Sequence, residues 1–410
     1  MISSVAYVAM HSSPLLQPGV GDAGGMNVYL DRLSRTMIGR GVDVTVFTRQ
    51  VDQDVPTIVE AAEGYRVVHI NAGPVDRLRV SAMREYVGTF ADGVIDWINS
   101  RDRTYDLVHS HYWLSGRTGV RLKDALDIPL ANSFHTLGKV KDATRHHTER
   151  LSSRDRLMAE AEVIASSDCV IASTPFEFDD LLEHYGATPE RLCVSAPGVD
   201  HDVFRRLDSS TARHRLGFGN EQIVLFVGRI QAHKGTSVAV EAFADLLNSR
   251  SPDDRPAKLH IVGGASGVQG TQELEHCHQL IEQHGIGAHV RFFEPQPHAV
   301  LADHYRAADV VVVPSRSESF GLVAAEAQAC GTPVVASNIG GLPYVVNASD
   351  SGLLVEDHDP RAFAAAIAAI LDHESFAQRL SDGAVAFSQK FSWETTANRL
   401  LELYEGITSA

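Results

Sequence analysis

Four consecutive valines, Val310–Val313, run straight into Pro314. β-Branched residues favour an extended strand, and a run without polar alternation requires both strand faces to be covered. Strands of this kind belong to parallel sheets packed between helices, so the run restricts the chain to α/β architectures. The residues that follow fit the same unit: a polar loop over 315–319, then Phe320 and Gly321, then a helical pattern over 322–329. A strand-loop-helix step leaves the first helical N–H groups without intrahelical partners, and these suit a phosphate. Two carboxylates flank the step. Glu318 lies in the loop and Glu326 about one turn into the helix, where an acid can accept hydrogen bonds from vicinal sugar hydroxyls.

The unit recurs along the chain. Strand patterns at 5–10, 42–48, 65–70, 107–110, 129–133 and 170–173 are interleaved with helical patterns at 27–40, 83–99, 155–165 and 176–184. The pattern restarts at 223–227 and continues through a helix at 238–247 and strands at 259–262, 290–293, 310–313 and 334–336. Between the halves lies A-P-G-V-D-H-D-V-F, rich in turn formers. Two open α/β domains, 1–196 and 197–390, each presenting strand C-termini to a shared cleft, follow from this order. The length of 410 residues suits two domains or three.

Hydrophobic residues at 44% and charged residues at 21% mark a soluble globular chain. A formal net charge of −16 argues against nucleic acid or an anionic membrane as main partner, since both require basic surface. No apolar segment approaches bilayer length, and the N-terminus lacks the basic region of a secretory signal. Cys169, Cys193, Cys277 and Cys330 are widely spaced without a C-x-x-C pair, which predicts neither a zinc site nor a disulfide framework and points to the cytoplasm.

Several constellations carry chemistry. Gly19, Gly21 and Gly24 spell G-x-G-x-x-G, but eight residues separate them from Met10 and the second strand ends in Thr48-Arg49, not an acid. A dinucleotide fingerprint is therefore a poor fit, and a flexible loop whose Gly24 and Gly25 amides face a ligand is the better one. Arg229 and Lys234, in G-R-I-Q-A-H-K-G, directly follow a strand and can face one diphosphate. His135, in S-F-H-T-L, stands at a strand C-terminus facing the cleft. His109 and His111 have strand spacing but no third ligand nearby, so metal binding is not expected of them. The D-x-D strings Asp52/Asp54 and Asp357/Asp359 lie in polar loops and read as solvated turns.

The stretch E-S-F-G-L-V-A-A-E-A-Q-A, with G-T-P-V-V-A and N-I-G-G-L-P around it, resembles the E-x7-E signature of retaining glycosyltransferases of the GT-B fold, family 4. G-G-M-N-V-Y, H-S-H-Y-W-L-S-G and F-F-E-P-Q-P extend the resemblance over nearly the whole chain. It implies two Rossmann-like domains facing a central cleft, with the last helix, within 391–410, crossing back onto the first. It implies a nucleotide-sugar donor bound by Gly25, Arg229, Lys234, Glu318, Ser319, Phe320, Gly321, Leu322 and Glu326. Arg229 and Lys234 would stabilise charge on the leaving nucleotide, with Glu318 and His135 beside the transferred sugar, and no metal or other cofactor. The motifs are most similar to the branch of the family that moves N-acetylglucosamine from a UDP donor to inositol 3-phosphate. On that likeness Tyr112, Thr136 and Arg156 would hold an acceptor phosphate, with Met26 and Asn27 as further acceptor contacts.

Two departures stand out. Where that branch has a phosphate-binding lysine this chain has Val80, with Arg77 and Arg79 nearby, and Arg79 is the candidate substitute. Removing a charge-assisted bond costs roughly 1.5–3 kcal/mol. Where the family reads P-R-P near the nucleobase, this chain has Pro295-Gln296-Pro297, which leaves UDP and GDP both open. The alternatives are a pathway-specialised relative of antibiotic biosynthesis using another donor and an aminocyclitol or thiol acceptor, and a non-catalytic nucleotide-sugar-binding protein. A related-fold phosphorylase would need a pyridoxal-phosphate lysine signature, which is not evident. A homodimer is left open.

Overall fold

The computed structural model describes residues 1–19, 23–145 and 149–409, so Gly21 of the glycine-rich loop lies outside the described residues. Strands β1 (Ser4–Val8), β2 (Asp43–Arg49), β3 (Ile58–Ala62), β4 (Tyr65–Ile70), β5 (Leu107–His111), β6 (Leu130–Ser133), β7 (Cys169–Ala172) and β8 (Leu192–Val194) form one sheet, ordered β3-β4-β2-β1-β5-β6-β7-β8. All neighbours are parallel except β3, which runs antiparallel along β4 at the edge. The second sheet holds β9 (Gln222–Val227), β10 (Ala257–Val262), β11 (Val290–Phe293), β12 (Val310–Val313), β13 (Val334–Ser337) and β14 (Gly352–Val355). Its order is β11-β10-β9-β12-β13-β14 and it is parallel throughout. In each sheet the chain builds outward on one side of the first strand and then returns to its other side. The crevices between β1 and β5 and between β9 and β12 are therefore the switch points at which ligands of doubly wound sheets bind.

The central strands of both sheets are buried on both faces; in the second sheet β9 and β12 are almost wholly apolar, whereas in the first β1, β5 and β6 also bury Tyr7, His109, Ser110, His111 and Asn132. In the first lobe, Phe47, Phe90, Val94, Val163 and Leu181 pack on one face. On the other face Tyr7, Leu33 and Val44 meet Trp393, Ala397, Leu400 and Tyr404. Those last four belong to the C-terminal helix Trp393–Thr408, capped by the Ser392 hydroxyl accepting from the Thr395 N–H. Their spacing of four, three and four places one apolar stripe against the helix Gly25–Ile38 of the first lobe. Truncating fully buried Leu400 to alanine would cost about 2–5 kcal/mol. The return of the C-terminal helix runs beside the outward linker, where Val199 pairs in parallel with Ser392. A side chain on Gly198 would collide there with the Trp393 nitrogen at 2.3 Å.

Two expectations are corrected. Residues 83–99 do not form one helix: Val80–Met83 and a tight turn at Arg84–Tyr86 precede the helix Val87–Asn99. Cys169 and Cys193, expected to be free, are joined as a disulfide. They stand on the neighbouring parallel strands β7 and β8 with Cα atoms 6.4 Å apart, a proximity set by sheet register and hidden by their separation of 24 residues. Cys277 and Cys330 are free and buried. No helix among the described residues is long and apolar enough to cross a membrane.

Candidate active site

The C-terminal ends of both sheets meet along one line. On the second lobe, β12 leads through the 314–321 loop into the helix Leu322–Ala329. Gly321 caps that helix with φ +109°, a conformation that a side chain would strain, and no side chain caps the first helical amides. Gly340 braces the loop from behind. A Cβ there would lie 2.2 Å from the Glu318 carbonyl oxygen, and the Gly341 N–H donates to that same oxygen at 2.8 Å. Lys234, from the loop after β9, donates to the Glu318 carboxylate at 2.7 Å, and both side chains are about a fifth exposed. Glu326 is buried and accepts from the Tyr305 hydroxyl at 3.0 Å. Burial pushes its carboxyl up to about 8, against the opposing pull of that hydroxyl and of Arg32.

The first lobe closes the other wall. The loop after β1 brings Gly24 and Gly25 against this machinery: a Cβ on Gly24 would lie 3.7 Å from Arg229 Nε, and one on Gly25 3.3 Å from Leu322 Cδ1. Further along, the Gln17 amide donates to the Pro295 carbonyl at 3.3 Å, and Gln296 donates to the Glu294 carbonyl at 2.8 Å. Asn27 is turned inward. Its amide donates to Ser12 Oγ and the Ser13 carbonyl and accepts from the Gly24 N–H. Every polar atom of Asn27 is thus engaged in shaping the loop, while Met26 packs on the lobe's core.

Tyr112 and His135, after β5 and β6, adopt φ of +77° and +59°, sparsely populated for residues with side chains. The His135 carbonyl accepts from the Ser319 hydroxyl of the opposite lobe at 2.7 Å, and Thr174 Oγ1 donates to the Ser319 carbonyl at 3.3 Å. The His135 ring stacks on His111, with Nε2 3.0 Å from His111 Nδ1, and meets Tyr29 edge-on. His109 lies behind, bonded to the Tyr404 hydroxyl and Ser133. Burial holds His109 and His135 down at about 3 and His11 at about 4, and His111 well below its ordinary range. The cluster is therefore neutral near pH 7, and no group of three or more His, Cys, Asp or Glu placed to hold a metal ion occurs among the described residues. Of the D-x-D strings, Asp52 and Asp54 form a local turn and Asp359 caps the helix Pro360–Leu371.

Arg156 is brought to Thr136 and Tyr112. Its Nη2 donates to the Thr136 carbonyl and hydroxyl, each at 3.0 Å, and its guanidinium lies over the Tyr112 ring at 5.3 Å. Arg79 is exposed at the start of the helix Val80–Met83. Phe320 is buried edge-on against Phe391. The residue singled out by neither motif nor likeness is Glu160, fully buried, which accepts from Arg156 Nε at 2.7 Å. Its only sequence signal is the i,i+4 spacing to Arg156.

Two doubly wound parallel sheets meeting at a cleft walled by cations, helix-terminal amides and paired acids define a GT-B glycosyltransferase. Residues 24–198 match the Glycosyl transferase 4-like domain and residues 208–386 match Glycosyl transferases group 1. A D-inositol 3-phosphate glycosyltransferase of Geodermatophilus obscurus is 44% identical over 98% of this chain and 88% of its own. One from Corynebacterium diphtheriae is 40% identical over 98% and 95%. The sucrose-phosphate synthase structure from Thermosynechococcus elongatus superposes with a TM-score of 0.90 at 30% identity, covering 99% of both chains. The structure of Anabaena HepE in complex with UDP and glucose, at 20% identity, covers 99% of this chain and 100% of its own with a TM-score of 0.79 and bears on the fold alone. The chain belongs to the GT-B glycosyltransferases of family 4 and is an enzyme of the retaining type.

Proposed function

We propose that this enzyme transfers a sugar from a UDP-N-acetylglucosamine-like donor to 1D-myo-inositol 3-phosphate. The observation that carries the acceptor is the gathering of Arg156, Thr136 and Tyr112 on one wall of the cleft. Thr136 accepts from Arg156, so its hydroxyl proton remains to be donated. With Arg156 Nη1 and the Tyr112 hydroxyl it supplies three donors for the oxygens of a phosphate. The named activity of the relatives at 40–44% identity supports the same acceptor.

On the donor side, Arg229, Lys234 and the Gly321 and Leu322 amides hold the diphosphate, which substitutes for a metal. Glu326 binds ribose hydroxyls, and Glu318, fixed by Lys234, binds the sugar. The acceptor hydroxyl attacks the anomeric carbon from the face the diphosphate leaves. A bond to the acceptor oxygen forms as the bond to the phosphate oxygen breaks, and that phosphate oxygen takes the hydroxyl proton. Neutral His135, beside the sugar, lends its carbonyl and ring dipoles to the positive charge at the anomeric carbon. Closure of the lobes, marked by the Ser319–His135 bond, assembles the site. An inverted β-anomer, identified by NMR of the product, would contradict the retaining step.

Val80 and Gln296 favour a second reading, a relative specialised for another pathway with a GDP-sugar donor and an aminocyclitol or thiol acceptor. Thermal-shift comparison of UDP, GDP and ADP separates the two. A nucleotide at a hundred times its dissociation constant stabilises by about 2.7 kcal/mol. A shift with UDP supports the first reading, and a shift with GDP alone overturns it.

A further inference from the structure

We propose that Glu160, backed by Tyr185, is the positioning residue of acceptor recognition, holding the Arg156 guanidinium in the one orientation that serves an anionic acceptor. The inference rests on the reading of Arg156, Thr136 and Tyr112 as a phosphate site. Glu160 is wholly buried, and its carboxylate reaches that wall through Arg156 and through Gly138, two residues after Thr136. One carboxylate oxygen accepts from Arg156 Nε at 2.7 Å, and both accept from the Gly138 N–H at 3.0 and 3.1 Å. The Tyr185 hydroxyl donates to the second oxygen and accepts in turn from the Lys139 N–H at 3.0 Å.

Two consequences follow from that geometry. Arg156 Nε is tied to Glu160 and Nη2 to Thr136, so the guanidinium cannot rotate, and Nη1 is the nitrogen left to meet a ligand. Gly138 begins the helix Gly138–Ala143, so the same carboxylate anchors the segment that carries Thr136. The cradle has no slack. A Cβ on Gly138 would lie 2.9 Å from a Glu160 oxygen and 2.7 Å from Leu157 Cδ2. A carboxylate taken fully out of water is retained only where its bonds are made, and here they join Arg156 Nε, the Gly138 N–H and the Tyr185 hydroxyl. Glu160 itself touches neither substrate.

The test is initial-rate kinetics with UDP-N-acetylglucosamine and inositol 3-phosphate, alongside the melting shift produced by UDP. Glu160→Gln keeps the shape and removes the charge. Its acceptor KM should rise roughly tenfold or more, the weight of one charge-assisted bond, while the donor KM and the UDP shift stay at wild-type values. Tyr185→Phe, a gentler change, should raise acceptor KM about threefold with kcat retained. Should Arg156→Ala raise acceptor KM while Glu160→Gln and Tyr185→Phe leave it unchanged, the positioning role falls and the phosphate site stands. An unchanged acceptor KM in Arg156→Ala removes the phosphate site itself. Loss of the UDP shift together with acceptor saturation in both Glu160→Gln and Tyr185→Phe would assign the network to folding and overturn the inference.

Discussion

Acidification should unfold this protein steeply between pH 6.5 and pH 5. Seven of the described histidines, His11, His109, His111, His135, His233, His260 and His304, are held neutral in the folded state, chiefly by burial, six of them at about 3 to 4 and His111 well below its ordinary range. In the unfolded chain each takes up a proton near pH 6.5. Below that pH unfolding therefore binds protons, and each buried histidine removes about 1.4 kcal/mol of stability per pH unit. Glu177 and Glu326 act in the opposite sense, because burial raises them to about 7 and about 8. They stay protonated in the fold while an unfolded carboxyl ionises above about pH 4.5, so their contribution grows as pH falls from 8 toward 4.5. Seven groups against two leave a net uptake of about five protons, or roughly 7 kcal/mol per pH unit. Set beside a usual total of about 5–15 kcal/mol, that exhausts the fold within one to two units below pH 6.5. Circular-dichroism melts from pH 7.5 to pH 4.5 measure it. A melting temperature that stays level between pH 7 and pH 5 would refute the neutral, buried histidine cluster on which the description of His135 depends.

Other expected outcomes concern the cleft. Lys234→Ala removes a diphosphate cation and the partner of Glu318, and should lower kcat/KM for the donor by roughly 10²–10³ in steady-state assays. Gly340→Ala places a methyl group against the Glu318 carbonyl at φ +51° and should lower the melting temperature while weakening the UDP shift; unchanged values for both would remove Gly340 as the brace of the loop. Ser319→Ala breaks the bond to the His135 carbonyl across the cleft and should cost about 0.5–1.5 kcal/mol of closure, read as a few-fold lower kcat with UDP affinity little changed.

The parts of the fold that the amino-acid order displays are those whose local pattern and final burial agree. β12 starts and stops where its apolar run does, because a strand covered on both faces has no reason to alternate. The edge strand β3 goes unread since it is only half-buried and antiparallel, and its residues carry little apolar contrast. The helix Trp113–Leu126 is masked by Gly116 and Gly119, poor helix formers that packing demands: a Cβ on Gly116 would meet Val163 at 2.7 Å, and one on Gly119 would meet Leu130 at 2.7 Å. At the candidate site, the placing of Glu318, Lys234 and Arg229 on loops that follow strand C-termini is legible in the sequence. The engagement of the Asn27 amide with Ser12, Ser13 and Gly24 is not legible, since only the folded loop brings those groups together. The bonds of Glu160 to Gly138 and Tyr185 and the Cys169–Cys193 bond depend on chain segments meeting in space, and no periodicity announces them.

In the proposed reaction the second lobe grips the nucleotide while the first lobe offers the molecule to be glycosylated. A crystal structure with UDP bound tests it most directly. The diphosphate should lie on Arg229, Lys234 and the first amides of the helix Leu322–Ala329, with the ribose at Glu326. Density for the nucleotide against the 19–25 loop alone, with the second lobe empty, would contradict it.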